Sequence, residues 1–273
     1  MHGKKSVPEG PKSGTADRFA MRTGNPDFVL SLSRGLSVIE SFAGYPGGRS
    51  IVEIAQSTDL SRASIRRILH TLELLGYVER SRQVYRLKTQ VLRLGFSFLS
   101  SSSVIEAARP VLERITDALH ESSSMSMLDR GEIVYVARCA ASRVLAAGLS
   151  VGSRLPAYCT SMGRVLLAAL PDEELNAYLR DLTPKTYTPR TIVKVSQLRK
   201  TIQEVRRQGY AIVDQELEAG LRSIAVAVYN RSDRVVAAIN VGTHVSRVDQ
   251  TTLVKTCLPA LQNGAQALRN ILI

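Results

Sequence analysis

One face of a predicted helix carries a run of basic side chains. Arg62, Arg66 and His70 recur at i, i+4 and i+8, with Ala63 and Arg67 beside them. An α-helix fits the major groove of duplex DNA, where the planar fork of arginine pairs with two acceptors of guanine. The candidate contact residues are Ser61, Arg62, Ala63, Ser64, Arg66, Arg67 and His70. The spacing favours a helix that reads bases, and the alternative is a solvated basic face on a structural helix.

Two shorter helices are predicted ahead of this one. The first has apolar positions Leu32, Leu36 and Ile39, with Asp27 or Ser31 as its cap, and stops at the glycine-rich stretch 44–48. The second, 51–57, follows Ser50, and Glu53 three residues later completes a capping box. Residues 58–60 then form a brief connection. Two short helices joined in this way indicate a helix-turn-helix.

The third helix begins at the cap Ser61 and ends at Gly76. The inward face that we predict for it consists of Ile65, Ile68, Leu69, Leu72 and Leu75. Residues 77–80 and 84–87 follow as two alternating runs, which predict a β-hairpin. Arg80, Arg82 and Arg86 project from it, and a hairpin directly after a recognition helix is a wing. Together these features predict binding to double-stranded DNA.

The distribution of charge agrees with this prediction. The 273 residues carry a net charge of +12, with 15 basic against 8 acidic residues over 1–97 and 21 against 16 over 98–273. The first 97 positions are therefore the more basic per residue, as expected of the part that meets a polyanion. We predict that residues 1–24 form a disordered basic tail that contacts the phosphates of DNA without sequence preference.

Beyond the winged module, we predict an apolar linker helix over residues 88–103 and an α+β domain over residues 104–273. Strands are expected at 125–128, 133–137, 143–151, 224–229 and 235–241, and helices at 104–120, 161–169, 172–182, 196–209 and 253–272. Ser196 is the predicted cap of the fourth of these helices. The winged domain itself is placed at 25–87. The apolar linker favours a symmetric dimer that presents two winged modules to a pseudo-palindromic operator.

Several other classes of protein are disfavoured. No window has the apolar length of a membrane span, and the tail lacks the apolar core of a signal peptide, so we expect a cytoplasmic protein without a membrane partner. Cys139, Cys159 and Cys257 fit neither a disulfide framework nor a metal site and are expected as buried thiols. No phosphate-binding loop or nucleophile–histidine motif is recognisable. We therefore expect no catalytic residue, metal or cofactor.

A set of motifs follows the helix-turn-helix of residues 51–75. They are Leu75-Gly-Tyr-Val78, Arg154-Leu-Pro156, Ser161-Met-Gly-Arg164, Gly209-Tyr-Ala211 and Asp214 with Glu216 and Gly220-Leu-Arg222. In this order they resemble the IclR family of bacterial transcriptional regulators, over about residue 28 to the C-terminus. Within the family, 155–164 and 240–244 resemble the branch that controls catabolism of protocatechuate, 4-hydroxybenzoate and related aromatic acids. The resemblance implies a winged helix-turn-helix, a GAF-like effector domain with an antiparallel sheet flanked by helices, dimers or dimers of dimers, and ligand-controlled activation or repression.

The resemblance also implies a ligand pocket. The positions that hold small 2-oxo acids in relatives align with Ser161, Met162, Val213, Ser223, Asn240 and Gly242, none of which keeps the family identity. Met162 and Val213 make the pocket more apolar, as a benzene ring requires, while the serines and Asn240 suit a carboxylate or a ring hydroxyl. Arg143 or Arg154 is the candidate cation for the carboxylate, and Tyr158 is a candidate for ring stacking or hydroxyl donation.

The sequence therefore favours a DNA-binding regulator of aromatic-acid catabolic genes with an aromatic carboxylate as effector. The alternatives are an IclR-type repressor that responds to a different small organic acid, an enzyme with a DNA-binding appendage, and an architectural DNA protein without a ligand. The sign of regulation is not encoded in these motifs, and an activator would also contact RNA polymerase.

Overall fold

The computed structural model describes residues 26–141 and 149–271. These form two compact units, one through Phe98 and one from Leu99. The basic tail 1–24 and most of the predicted strand 143–151 lie outside the described residues, and 149–151 contains no strand.

The first unit is a three-helix module with a small antiparallel sheet. Its elements are α1 (Leu30–Glu40), β1 (Arg49–Ser50), α2 (Ile51–Thr58), α3 (Arg62–Leu74), β2 (Val78–Ser81) and β3 (Val84–Leu87), and the strand order is β1-β3-β2. Val38, Ile54, Ile65 and Leu69 are fully buried where the helices meet. This arrangement confirms the winged helix-turn-helix, and β1 is a strand that the sequence analysis missed.

The capping chemistry of α2 and α3 is as predicted. Ser50 Oγ accepts from the Glu53 amide, the Glu53 carboxylate accepts from the Ser50 amide at 2.7 Å, and Ser61 Oγ accepts from the Ser64 amide at 3.2 Å. The predicted cap of α1 was wrong, because Val29 precedes the helix and no side chain caps it.

Leu75 was also wrongly placed on the inward face of α3. It is 58 % exposed, because the helix ends at Leu74 and the chain turns away at Gly76, whose φ is +78°. Beyond the wing, the predicted linker region contains a 3-10 turn (Thr89–Val91) and α4 (Leu92–Ser101).

The second unit is a six-stranded antiparallel sheet between two layers of helices, which confirms the α+β prediction. Its strands are β4 (Ser122–Asp129), β5 (Glu132–Cys139), β6 (Arg154–Pro156), β7 (Tyr210–Asp214), β8 (Leu221–Tyr229) and β9 (Val235–His244), in the order β6-β5-β4-β9-β8-β7. β6 and β7 were not predicted. They are short edge strands whose alternation is too brief to stand out.

One face of this sheet packs against α5 (Ser103–Leu119) and the C-terminal helix. That helix runs through α9 (Gln250–Thr252), a π turn (Leu253–Cys257) and α10 (Leu258–Ile271). The π turn replaces part of the regular helix predicted over 253–272 and lies directly before Pro259, which has no amide hydrogen to donate. Gly264 lets α10 approach α5, since a Cβ there would lie 2.8 Å from Ile115 Cδ1.

The other face packs against α6 (Ser161–Ala168), α7 (Asp172–Asp181) and α8 (Val195–Gln208). The predicted cap Ser196 was wrong, because α8 begins one residue earlier after Lys194 and has no side-chain cap. Its predicted end at Gly209 is confirmed by the left-handed φ of +81° there. Within the described ranges, no helix is long and apolar enough to cross a membrane.

Candidate nucleic-acid interface and ligand pocket

The basic face of α3 is exposed as the spacing predicted. Ile65, Leu69 and Leu72 point into the core, which leaves Arg62, Ala63, Arg66, Arg67 and His70 on the opposite, exposed face. Ser61 and Ser64 occupy the first turn, where their cap hydrogen bond fixes the helix start. The structure therefore places Arg62, Ala63, Arg66, Arg67 and His70 on one exposed face of α3. Ser64 is half-buried and, with Arg67, lines a cleft against α1.

The three wing arginines differ in how they are held. Arg80 Nε donates to the Arg82 carbonyl at 2.9 Å, and Arg86 Nε donates to the Gly47 carbonyl at 3.0 Å. Arg82 lies at the tip of the hairpin with a positive φ of 58°, and none of the described residues accepts a hydrogen bond from its guanidinium. All three wing arginines are exposed, and Arg82 differs from the other two in that no atom of its guanidinium donates to another described residue.

In the second unit, polar residues from four strands share the sheet face that meets α6. Because side chains alternate along a strand, directly paired residues point to the same face. Ser124 on β4 pairs with Arg138 on β5 and with Asn240 on β9. In the adjacent row, Gly242 on β9 pairs with Ser223 on β8, which pairs in turn with Val213 on β7. The strand register thus collects four of the six residues that the resemblance predicted.

Two of the predicted residues carry buried polar atoms to which none of the described residues offers a hydrogen bond. Ser161 Oγ, on the first turn of α6, and Asn240 Oδ1 are buried, and neither has a hydrogen-bond partner among the described residues. A Cβ added to Gly242 would meet no atom within 4 Å, so open space lies above the sheet at that point. Since buried polar atoms are nearly always paired in native proteins, these orphans next to open space indicate a ligand cavity.

Arg138 supplies positive charge to the same face. It is half-buried, its Nη1 lies 3.5 Å from Ser124 Oγ, and no carboxylate of the described residues lies within 4.0 Å of it. Tyr135 also points to this face, and burial raises the pKa of its hydroxyl to about 12, against the opposing field of Arg138. Among the described residues, the site therefore offers a cation without an ion-pair partner, Arg138, and a neutral phenol, Tyr135.

The apolar side of the site includes Met162 and Val213, both buried. Ser126 Oγ on β4 donates to Met162 Sδ at 3.2 Å and thereby fixes the position of the thioether. Apolar side chains beside a few directed polar groups are typical of small-molecule pockets.

Two other candidate residues make contacts within the protein. Arg154 Nε donates to Glu132 and its Nη2 donates to Asp129, each at 2.7 Å, so the charge of Arg154 is already neutralised at the surface. The Tyr158 hydroxyl donates to the Lys185 carbonyl at 2.7 Å and accepts from the Lys185 amide at 2.8 Å, which leaves it no further donor. Arg143 lies outside the described residues.

A buried ion pair fixes the helix that carries Ser161 and Met162. Arg164 Nη1 lies 2.6 Å from Glu216 Oε1, Arg164 Nη2 donates to Oε2 at 2.6 Å, and Nε donates to the Tyr158 carbonyl at 2.9 Å. Such a bidentate fork ties α6 to the connection between β7 and β8.

Sequence reasoning missed Arg138, Tyr135 and the serines of β4. A signal was present, because Ser122, Ser124 and Ser126 alternate and must share one face of a strand. Arg138 could be assigned only once its register opposite Ser124 was known. In the part of the chain that the structure describes, no three side chains of His, Cys, Asp or Glu gather where they could hold a metal ion.

Comparison with protein-family models gives matches to both units. The IclR helix-turn-helix domain matches residues 31–82, and the C-terminal domain of the bacterial transcriptional regulator IclR matches residues 96–270. The chain belongs to the IclR family. As an IclR-family protein it is a DNA-binding transcriptional regulator and not an enzyme.

Relatives of this IclR-family chain include regulators of aromatic metabolism. The Pca regulon regulatory protein of Pseudomonas putida is 48% identical over 254 residues, covering 93% of this chain and 87% of the relative. The p-hydroxybenzoate hydroxylase transcriptional activator of Acinetobacter baylyi is 34% identical over 250 residues, covering 90% and 92%. A doubly substituted inducer-binding domain of the Acinetobacter PobR transcription factor, solved with 3-hydroxybenzoic acid, is 32% identical with a TM-score of 0.60, covering 63% of this chain and all of that domain.

Proposed function

We propose that this regulator controls aromatic-acid catabolic genes and that a hydroxylated aromatic carboxylate is its effector. The observation that carries the proposal is the pair of buried polar atoms, Ser161 Oγ and Asn240 Oδ1, that have no hydrogen-bond partner among the described residues. Arg138 lies in the same row of the sheet face as Asn240, and the adjacent row has open space above Gly242. The hydroxybenzoate bound to the related PobR domain supports the same chemistry. The cytoplasm, where the chromosome lies, is the compartment in which such a protein would act.

The spacing of the polar groups suits such a ligand. Ser124 and Ser223 lie two strands apart and in adjacent rows of the same face, which is about 12 Å at the usual strand spacing and rise per residue. Their side chains and Arg138 reach inward from these positions. A carboxylate over Arg138 and Ser124 would leave a ring against Met162, with a ring hydroxyl directed towards Asn240. The Asn240 carbonyl oxygen is an acceptor without a donor, and a ring hydroxyl supplies the missing hydrogen.

Thermal unfolding of the full chain in the presence of candidate ligands tests this proposal. A ligand at 100 times its Kd adds about 2.7 kcal/mol of stability, or about 5–10 °C in the Tm of a domain of this size. We expect 4-hydroxybenzoate or protocatechuate to produce this shift, with methyl 4-hydroxybenzoate as the control that lacks the negative charge. A shift with glyoxylate or adipate and none with either aromatic acid would refute the aromatic assignment and favour another small organic acid.

For the DNA complex, we propose that α3 reads bases in the major groove while the wing, chiefly Arg82, contacts phosphate. Arg66→Ala should weaken binding to the preferred duplex by about 1–3 kcal/mol and relax its sequence preference. Arg130, an exposed arginine in a turn of the second unit, provides the matched control Arg130→Ala. Equal binding by the two variants would remove Arg66 from the set of contact residues.

We further propose that the chain acts as a homodimer or a dimer of dimers. Leu92 and Leu94 of α4 are 67 % and 48 % exposed, an apolar surface that a second copy of the chain could cover. Sedimentation of the full chain should give a dimer or larger species, and Leu92→Glu with Leu94→Glu should shift it towards monomer. Monomeric wild-type protein at micromolar concentration would contradict this part of the proposal.

A further inference from the structure

The first unit contains a buried arginine that the proposed DNA contacts do not use. Arg49 is only 6 % exposed, and none of the described carboxylates lies within 4.0 Å of its guanidinium. A buried charge without an acidic partner is costly unless other groups solvate it. The groups that solvate Arg49 therefore indicate what the residue is for.

Those groups belong to two helices. Arg49 Nη1 donates to the Ser41 carbonyl, at the end of α1, at 2.7 Å and to Ser57 Oγ in α2 at 2.9 Å. Its Nη2 donates to the Glu53 carbonyl in α2 at 2.6 Å, and Tyr45 lies against the guanidinium with its ring centre 4.2 Å away. Charge-assisted hydrogen bonds of this kind are about twice as strong as neutral ones. One side chain thus holds α1 and α2 together.

The backbone of the same residue belongs to the wing sheet. Arg49 pairs with Tyr85, and Ser50 pairs with Val84, so β1 forms the outer strand next to β3. Gly48 makes this approach possible, because a Cβ there would lie 2.3 Å from the Tyr85 carbonyl oxygen. Residue 49 therefore joins the wing, through its main chain, to the helix-turn-helix, through its side chain.

We propose that Arg49 is a positioning residue for DNA recognition that sets the wing relative to α3 without touching DNA. Its guanidinium is enclosed by α1, α2 and Tyr45 and has no exposed path to a phosphate. When these contacts are lost, the wing keeps its own hairpin but no longer lies where Arg82 meets the backbone of a bound duplex. The inference rests on the proposed wing contact of Arg82, and its test separates the two.

A double-mutant cycle between Arg49 and Arg82 tests the proposal. The affinity of the full chain is measured for a duplex that the wild type selects from a random pool, over a series of salt concentrations. Removing one phosphate contact weakens DNA affinity about fivefold at 0.15 M salt. It also reduces by about 0.9 the slope of log affinity against log salt concentration, and both effects are expected of Arg82→Gln. Arg49→Met should give a similar loss, and adding Arg82→Gln to it should cost less than about twofold more.

Each other outcome has a distinct meaning. If Arg49→Met alone leaves the affinity unchanged and Arg82→Gln still costs its full factor in that background, Arg49 contributes only to stability and the proposal is overturned. If Arg49→Met alone weakens binding, and the two losses multiply while the two slope changes add, Arg49 contacts DNA itself, which also overturns it. If Arg82→Gln in the wild-type background leaves the DNA affinity unchanged, the proposed phosphate contact of Arg82 is refuted, and the proposal for Arg49 that rests on it is refuted as well. Circular dichroism verifies that each variant is folded, and Arg49→Lys, which keeps the charge, replaces Arg49→Met in the cycle if that variant does not fold.

Discussion

Removal of the Arg138 charge is the most informative perturbation of the ligand cavity. In Arg138→Gln the side chain keeps a polar end that can donate hydrogen bonds, but it is shorter and has lost its cation. Within the described residues, Arg138 takes part in no ion pair, and its side chain makes one hydrogen bond, of 3.5 Å to Ser124 Oγ. The stability of the unliganded protein should therefore change by less than about 0.5 kcal/mol, as is usual for substitutions away from buried networks.

The effect on ligand binding should be much larger. A unit charge pair at 4 Å interacts by about 4 kcal/mol at an effective dielectric constant of 20, and solvent screens part of this because Arg138 is only half-buried. Hydrogen bonds to charged groups contribute about 1.5–3 kcal/mol in folded proteins. We therefore expect Arg138→Gln to weaken the binding of 4-hydroxybenzoate by about 2–3 kcal/mol, which is about 30- to 140-fold in Kd.

Titration calorimetry of the full chain with the acid and with its methyl ester measures this effect directly. The wild type should prefer the acid, and Arg138→Gln should bind acid and ester with nearly equal affinity. Arg154→Gln is the matched control, because Arg154 is an arginine of the same unit already paired with Asp129 and Glu132. A preference for the acid that survives in Arg138→Gln and disappears in Arg154→Gln would refute the assignment of the cation.

Three further predictions concern other parts of the molecule. Asn240→Leu removes a buried oxygen that lacks a hydrogen-bond partner among the described residues. It should stabilise the unliganded protein by about 1 kcal/mol, which raises the Tm by about 2–4 °C, and it should abolish 4-hydroxybenzoate binding. A lower Tm together with intact binding would contradict this. Hydrogen bonds from the Ser50 amide and hydroxyl hold the pKa of Glu53 below its ordinary value of 4.5. The ionised Glu53 carboxylate therefore stabilises the fold at pH values above 4.5, and this stabilisation is lost as the pH falls through the lowered pKa of the folded protein. Amide exchange in α2 should accelerate over that range in the wild type and not in Glu53→Gln, and identical profiles would exclude this role for the carboxylate. Gly163→Ala would place a Cβ 2.2 Å from the Ala157 carbonyl oxygen, and calorimetry should show a loss of about 3 kcal/mol or more from the second unit, whereas an unchanged Tm would contradict the close packing.

Much of the first unit was predictable because its signals are local. The Ser50–Glu53 capping box and the Ser61 cap are contacts between residues three apart, so spacing alone identifies them. The short strand β1 was not predictable, because two residues show no periodicity and the strand exists only through its pairing with β3. The contacts of Arg49 were hidden in a similar way, because two of its three hydrogen-bond acceptors are backbone carbonyl groups, which every residue possesses.

The ligand cavity was predictable only in part. Ser161, Ser223, Asn240 and Gly242 came from a family resemblance, and the structure places the last three in neighbouring rows of one sheet face. The cation was assigned to Arg154 or Arg143 by nearness in sequence to other candidates. The pairing of β5 with β4 decides which arginine lies on the face that meets α6. A bulge in β5 shifts this pairing by one residue, since Met125 pairs with Ala137 and Ser126 pairs with Tyr135, and sequence spacing does not reveal such a shift.

The crystal structure of the chain with bound 4-hydroxybenzoate tests the central claim most directly. The account predicts the ligand between α6 and the sheet, with its carboxylate paired to Arg138 and its hydroxyl donating to Asn240. Ligand density at any other place, or an empty cavity at saturating ligand with the Asn240 and Ser161 oxygens satisfied by protein groups, would contradict it.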